Sequence, residues 1–307
     1  MIMENLDEPQ SGHRGEADEV KSPAIPALAV QFFLIPLIVV ATVAAVYFGF
    51  RVLLDDERTP SEYLNDIRVG GRERRWPAAY ELSRLMDNPD IQLEYPELGS
   101  SLLRAFEGSD GDDPRVRRYL ALAVGRLQSP PPDTIERLVN ALDDADSETR
   151  ISVIWALGSL GDVSVVPELQ RVYGSDDAGV RKMAVYALGA IDGDSQMVTL
   201  RTALNDVAPD VQWNAAIALA RHGSDYGLSV LRRMLDREYV KKIVDPEMRA
   251  GTNTDPVAEV MISGLQAVSM LEATSLQETV IELSQTDQSM QVRQAALEAL
   301  DVLRRES

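Results

Sequence analysis

The sequence predicts an all-α protein: an α-solenoid of two-helix repeats preceded by one transmembrane helix. Two observations carry this. A run without any charged residue, Ser22–Phe50, lies near the amino terminus. Beyond it, one apolar pattern returns in register at intervals of 31 to 33 residues. Composition agrees, since the chain is 45% hydrophobic but only 6% aromatic. Ala, Leu and Val supply the apolar content, and that mixture favours close-packed helices over strands.

The elements follow in order. Residues 1–23 are acidic, contain Pro, Gly and Ser, show no apolar period, and read as a disordered tail. Residues 24–54 read as the transmembrane helix. Lys21 and Arg51 bracket the uncharged run, which at about 1.5 Å per residue exceeds the roughly 30 Å hydrocarbon core. A signal peptide has a shorter apolar region followed by a small-residue cleavage site, whereas this run ends in Phe50-Arg51-Val52-Leu53-Leu54. Pro26 suits a first helical turn, and Pro36 is expected to kink the span. The amino-terminal flank holds Arg14 and Lys21; the other holds Arg51, Arg58, Arg68, Arg72, Arg74 and Arg75. By the Lys/Arg rule the solenoid faces the cytoplasm from a single-pass anchor in the cell (inner) membrane. Residues 55–71 read as a juxtamembrane helix and linker. Thr59-Pro60-Ser61-Glu62 matches a capping box with Pro at the first helical position, and Gly70-Gly71 ends the helix. The solenoid is therefore expected close to the bilayer.

The repeats occupy residues 72–307. RVRRYLALAVGRL, ETRISVIWALGSLGD, GVRKMAVYALGAIDGD and DVQWNAAIALARHGSD align on Arg117, Arg150, Arg181 and Gln212. Gly125, Gly158, Gly189 and Ala220 form a second column with the same spacings of 33, 31 and 31 residues. Further copies place Arg75, Glu259 and Arg293 in the first column. Each copy holds two apolar stretches of helical period, such as Ile151–Leu160 and Val165–Tyr173, separated by Gly161-Asp162. That pair supplies a chain reversal and a residue suited to cap the next helix. A two-helix unit is too small to bury its own apolar face, so about seven units stack into one continuous core. An insertion at about 236–254 lengthens the spacing from Gln212 to Glu259 to 47 residues. It is read as a surface loop or as part of a binding face.

The pattern V-R-x-x-A-x-x-A-L-G-x-L-G-D resembles HEAT repeats, in particular the short bacterial, phycobilisome-lyase-like subtype. The resemblance spans roughly Arg72 to Arg305. It implies a scaffold or adaptor that binds another protein, because HEAT arrays mostly serve that role. Some members of the short subtype resemble bilin-attachment enzymes, and a few HEAT-like proteins act on DNA. The arginine column resembles a structural ladder to acidic loop residues, for which Asp146, Asp162, Asp177, Asp194 and Asp210 are candidate partners.

Two further sets of positions are candidates for function. One and five residues after the arginine column stand Trp76/Tyr80, Arg118/Leu122, Ile151/Trp155, Lys182/Tyr186 and Trp213/Ile217, and all three tryptophans fall there. On a helical wheel these positions lie roughly 120° to 160° from the core reference Val116, at or beyond the core margin. Trp76, Tyr80, Leu122, Ile151, Trp155, Tyr186, Trp213 and Ile217 therefore form a candidate partner-binding stripe, with packing between adjacent repeats as the equal alternative. Arg171, Arg201, Arg232 and Arg233 on the second helices form a candidate basic stripe, or else cations near helix carboxyl ends.

Composition limits the chemistry. There is no cysteine and only His13 and His222. No thiolate, Cys-ligated metal or His-based triad is expected, and no cofactor or metal. The formal charge is −19 overall. Residues 55–307 hold −16 of it, once residues 1–21 (−4) and Arg51 (+1) are set aside. That makes nucleic acid a poor partner. The expectation is a membrane-anchored scaffold for a protein partner at or near a membrane-protein complex, and not an enzyme. A bilin-lyase-like enzyme or ligand-binding HEAT protein is the alternative.

Overall fold

The computed structural model describes residues 35–54, 58–244 and 255–305. The chain divides into two compact units, Met1–Arg58 and Thr59–Ser307. Every regular element among the described residues is a helix.

In the first unit α1 spans Ile35–Leu54, with its side chains described from residue 36 to residue 49. Leu37, Ile38, Val39, Val40, Val43, Val46, Tyr47 and Phe48 are all exposed. No helix among the described residues is long and apolar enough to cross a membrane. The transmembrane helix expected over 24–54 is therefore not found as such. Its first eleven residues lie outside the described residues, as does the tail over 1–23. Pro36 is the second described residue of α1, and the expected kink depends on residues before Ile35, which lie outside the described residues.

The second unit opens with α2 (Pro60–Val69), α3 (Arg72–Leu85), α4 (Pro89–Glu94) and α5 (Leu98–Glu107). Helix pairs follow: α6 (Pro114–Gly125) with α7 (Thr134–Asn140), α8 (Ser147–Leu160) with α9 (Val166–Val172), α10 (Ala178–Ala190) with α11 (Met197–Ala203), and α12 (Pro209–Arg221) with α13 (Leu228–Met234). An extra helix, α14 (Arg237–Ile243), precedes α15 (Pro256–Met270), α16 (Gln277–Thr286) and the closing α17 (Met290–Arg305). The first helices α3, α6, α8, α10, α12, α15 and α17 pack neighbour to neighbour. Each second helix packs against the first helix of the next repeat. This is an α-solenoid.

Local signals set the boundaries. Thr59 Oγ1 accepts from the Glu62 N–H at 3.4 Å and Pro60 opens α2. Carboxylates of Asp113, Asp146, Asp177, Asp236 and Asp255 accept from first-turn N–H groups of α6, α8, α10, α14 and α15, satisfying donors that have no intrahelical partner. Gly161 ends α8 at φ +69°, a left-handed conformation that glycine adopts without steric cost.

The glycine column explains how closely the first helices approach. A Cβ on Gly158 would stand 2.7 Å from the Ala187 Cβ, and one on Gly125 would stand 2.6 Å from the Ala156 Cα. Each glycine thus receives the alanine of the following repeat, leaving no space for a side chain. The buried residues form one cluster from Ile67 to Leu219 and a second from Trp213 to Leu303, and α12 contributes to both.

The insertion over 236–254 begins as structure rather than as a loop. In α14, Val240 is buried in the second cluster, and Val244 just beyond it joins the same core. Arg237 of α14 bonds Asp287 at 2.8 Å and Asp255 at 3.2 Å. Residues 245–254 lie outside the described residues.

Candidate functional site

The arginine column lies near the starts of the first helices, and Arg75, Arg117 and Arg181 tie theirs to the loop that leads into the next repeat. Arg75 Nε donates to the Ile67 carbonyl at 2.7 Å, and its guanidinium pairs with Asp112. Arg117 Nε meets Asp144 at 2.7 Å while its Nη1 donates to the Phe106 carbonyl. Arg181 forms two bonds of 2.9 Å to Asp206 and also donates to the Ser175 and Asp176 carbonyls. Arg150 donates to Ser147 Oγ at 3.0 Å. Gln212 donates instead to the Asp206 carbonyl at 2.6 Å.

Of the acids expected as ladder partners, Asp177 is acted on by the charge of Arg150, while the others have other duties. Asp146 bonds Arg118 twice, at 2.7 Å each, while capping α8 through Thr149. Asp210 pairs with Lys182 at 3.3 Å. Asp162 and Asp177 cap the segments after them, and Asp194 is exposed. The loop acids that do bind the column, Asp112, Asp144 and Asp206, stand closer to the preceding helix, within reach of a guanidinium from the first helix of the same repeat.

This network shapes the local electrostatics. The Arg118 guanidinium, with Thr149, holds the Asp146 carboxyl well below the usual carboxylate range. Arg181 does the same for Asp206. Burial raises the Tyr173 phenol above its ordinary value, and the adjacent Asp206 adds to the effect.

The aromatic column is largely packed between repeats. Trp76 is half-buried with the Arg115 guanidinium 4.6 Å from its ring centre. Tyr80 is 37% exposed and meets Tyr119 edge-to-face at 5.1 Å. Leu122 and Ile151 are half-buried. Trp155 is half-buried over Gly125, with Arg126 at 5.1 Å from its ring. Trp213 is 8% exposed and belongs to the second core cluster. Ile217 is half-buried, and Tyr186 is 38% exposed. Of the eight positions, Tyr80 and Tyr186 are the exposed ones.

Trp213 and Ile217 come together in a cleft of about 600 Å³ between α12 and α15. Met234, Ile243, Val244 and Val260 complete its apolar lining, and the Lys182–Asp210 pair lies at its rim. Sequence reasoning did not assemble this cleft. Its signal is the spacing of 47 residues across the insertion, which separates two first helices that a regular repeat would set closer.

The four arginines of the second helices do not act alike. Arg171 pairs with Glu168 at 2.8 Å and Asp143 at 3.0 Å. Arg201 stacks on Tyr226 at 3.9 Å. Arg233 donates to Gln212 Oε1 at 3.1 Å and lies 5.7 Å from the Tyr239 ring centre. Arg232 is exposed. All four stand in the last turns of their helices, where a cation complements the helix dipole.

A family model for HEAT repeats matches residues 102–189 and 173–244. Beyond residue 244 the first helices continue to pack neighbour to neighbour through α15 and α17. Three of the solved structures similar to the chain are as follows. An engineered protein is 19% identical over 80% of this chain and 96% of its own, with a TM-score of 0.42. The complex of CpcE and CpcF of phycocyanin lyase from Nostoc sp. PCC7120 is 18% identical over 80% and 95%, with a TM-score of 0.48. A designed armadillo repeat protein in complex with the peptide (KR)4 is 15% identical over 80% and 99%, with a TM-score of 0.41. No curated protein matches the sequence.

Proposed function

We propose that this chain is a membrane-anchored HEAT-repeat scaffold that holds a protein partner, a membrane-protein complex or a subunit of one, beside the bilayer. One observation carries the reading. The apolar side chains of α1 are exposed around the helix, and a helix apolar on all sides is stable only inside lipid or another protein. The sequence continues that character without a charge from Ser22 to Phe50, long enough for a span. Only five residues of sequence separate Leu54 from Pro60. The excess of arginine after the span favours the cytoplasmic side of the cell membrane.

The partner reading draws on Tyr80, Tyr186 and the apolar cleft at Trp213 and Ile217, since exposed tyrosines and apolar clefts are common anchor points in interfaces. Nucleic acid fits poorly with the charge of −16 over residues 55–307. No group of His, Cys, Asp or Glu suited to a metal ion occurs among the described residues, and the reading gives the chain no catalytic role.

Two measurements test it. Alkaline carbonate extraction of cell membranes should leave the full-length chain in the pellet; release into the supernatant sinks the anchor. Affinity purification in mild detergent compares the parent with a Tyr80→Glu/Tyr186→Glu variant of equal melting temperature. A membrane partner retained by the parent and lost by the variant is the expected result. A parent that purifies alone overturns the scaffold.

A further inference from the structure

A second cavity, of about 460 Å³, lies between α2 and α5 over the start of α3. It is lined by Arg68, Arg75 and Arg104, by Ser61, Asn65 and Ser101, and by an apolar base that includes Leu64, Ile67 and Ala105. No carboxylate lines it. That is unexpected in a chain of 49 acidic and 30 basic residues, where arginines of the repeats such as Arg117, Arg118, Arg171 and Arg181 pair with aspartates.

The three cations differ. Arg75 is committed, since it bonds the Ile67 carbonyl and pairs with Asp112. Arg104 donates to Ser101 Oγ at 3.1 Å, a neutral acceptor that leaves its charge uncompensated. Arg68 is exposed in the last turn of α2. Neither has a carboxylate partner among the described residues. Two guanidinium forks without a carboxylate, beside hydroxyl and amide groups, form an arrangement that binds phosphate oxygens, which accept paired N–H bonds from arginine. The apolar base receives a hydrocarbon group attached to that phosphate.

We propose that this cavity binds a phosphate ester, supplied either by the headgroup of an anionic phospholipid or by a free phosphate monoester. The lipid source rests on the membrane reading above, because α2 follows α1 by five residues; the cavity chemistry does not.

The test uses the full-length chain in non-ionic detergent. Glycerol 1-phosphate is titrated by calorimetry, and phosphatidylglycerol retained from mixed micelles is counted by native mass spectrometry. Arg68→Gln/Arg104→Gln removes the free cations. Asn65→Asp places a carboxylate in the cavity at an exposed position, should the double variant fold poorly. The parent is expected to bind at least one probe, more weakly as salt rises. Both variants should bind about tenfold more weakly or worse, because charge-assisted bonds to phosphate are lost or opposed. Binding of the soluble ester places the affinity in the phosphate; binding of the lipid alone makes the headgroup in its bilayer the source. If neither probe binds, or if the variants at parental melting temperature bind as the parent does, the proposal fails. Carbonate extraction of the source membranes, before detergent is added, separates this from a failure of the anchor. A chain that stays in the membrane yet binds neither probe loses only the cavity. A chain that is extracted yet binds the soluble ester loses only the anchor.

Discussion

Gly158 and Gly161 stand three residues apart and serve opposite needs. At Gly158 an added side chain meets the backbone of Ala187 at 2.8 Å, so the neighbouring repeat must move. At Gly161 nothing lies within 4 Å and the difficulty is the backbone, at φ +69°. Gly158→Val should therefore destabilise by about 1–3 kcal/mol through overpacking, and more with a larger side chain. Gly161→Ala should cost roughly 1–2 kcal/mol from left-handed strain alone, with little further change on enlarging the residue. Urea unfolding of both series checks this; equal dependence on side-chain size at the two sites contradicts it. Asp146 offers a pH test. Its carboxyl is held low by Arg118, so it contributes stability that is present above the unfolded value of about 3.9 and is lost as pH falls through the lower folded value. Asp146→Asn should be less stable than the parent at pH 7, with the gap narrowing below about pH 4. A gap that stays constant from pH 7 to pH 3 rejects the assignment.

Among the elements, α14 shows what the linear pattern conceals. Thr59 caps α2 and Pro60 opens it as the capping box predicts, whereas Asp146 and Asp177, expected as ladder partners, cap α8 and α10. The helix α14 has a cap too, Asp236, yet it belongs to no repeat column, and its role comes from a residue 50 positions away. The Asp287 side chain is 3% exposed and bonds Arg237 twice, at 2.8 Å each. Removing Asp287 leaves the buried Arg237 with the more exposed Asp255 alone, 3.2 Å away, so Asp287→Ala should cost about 1–3 kcal/mol. Hydrogen exchange of α14 and the start of α17 should accelerate together. Acceleration confined to α17 counts against the bridge as the tie between them.

For the molecule as a whole, stability is a sum of repeat and interface terms rather than one closed core. The buried side chains divide at α12, where Val211, Ala215 and Leu219 face one cluster and Trp213 and Ala216 the other. Trp213→Ala should destabilise by about 3–5 kcal/mol. It should loosen α13 to α16 more than α6 to α8, because coupling in a stack passes only between neighbours. Exchange mapped by mass spectrometry decides between that and uniform loosening. The repeat register was legible in the sequence because every unit solves the same packing problem with the same residue types. The candidate stripe was legible as a column, since a shared helical angle follows from spacing. Its exposure was not. Whether Trp76, Trp155 or Tyr186 is covered depends on single side chains of adjacent repeats, such as Arg115 and Arg126, that obey no period.

The sequence by itself determined the helical class, the repeat period and register, and the capping box at Thr59. Each is imposed by interactions within one helix or one repeat, or between equivalent positions of two. Only the tertiary structure decided which aspartate each arginine binds, and that α14 belongs to the core. It alone set Trp213 beside Ile217 in a cleft and left Arg68 and Arg104 together without a carboxylate. These depend on residues tens of positions apart meeting across loops of unequal length, and a local pattern carries no term for that distance.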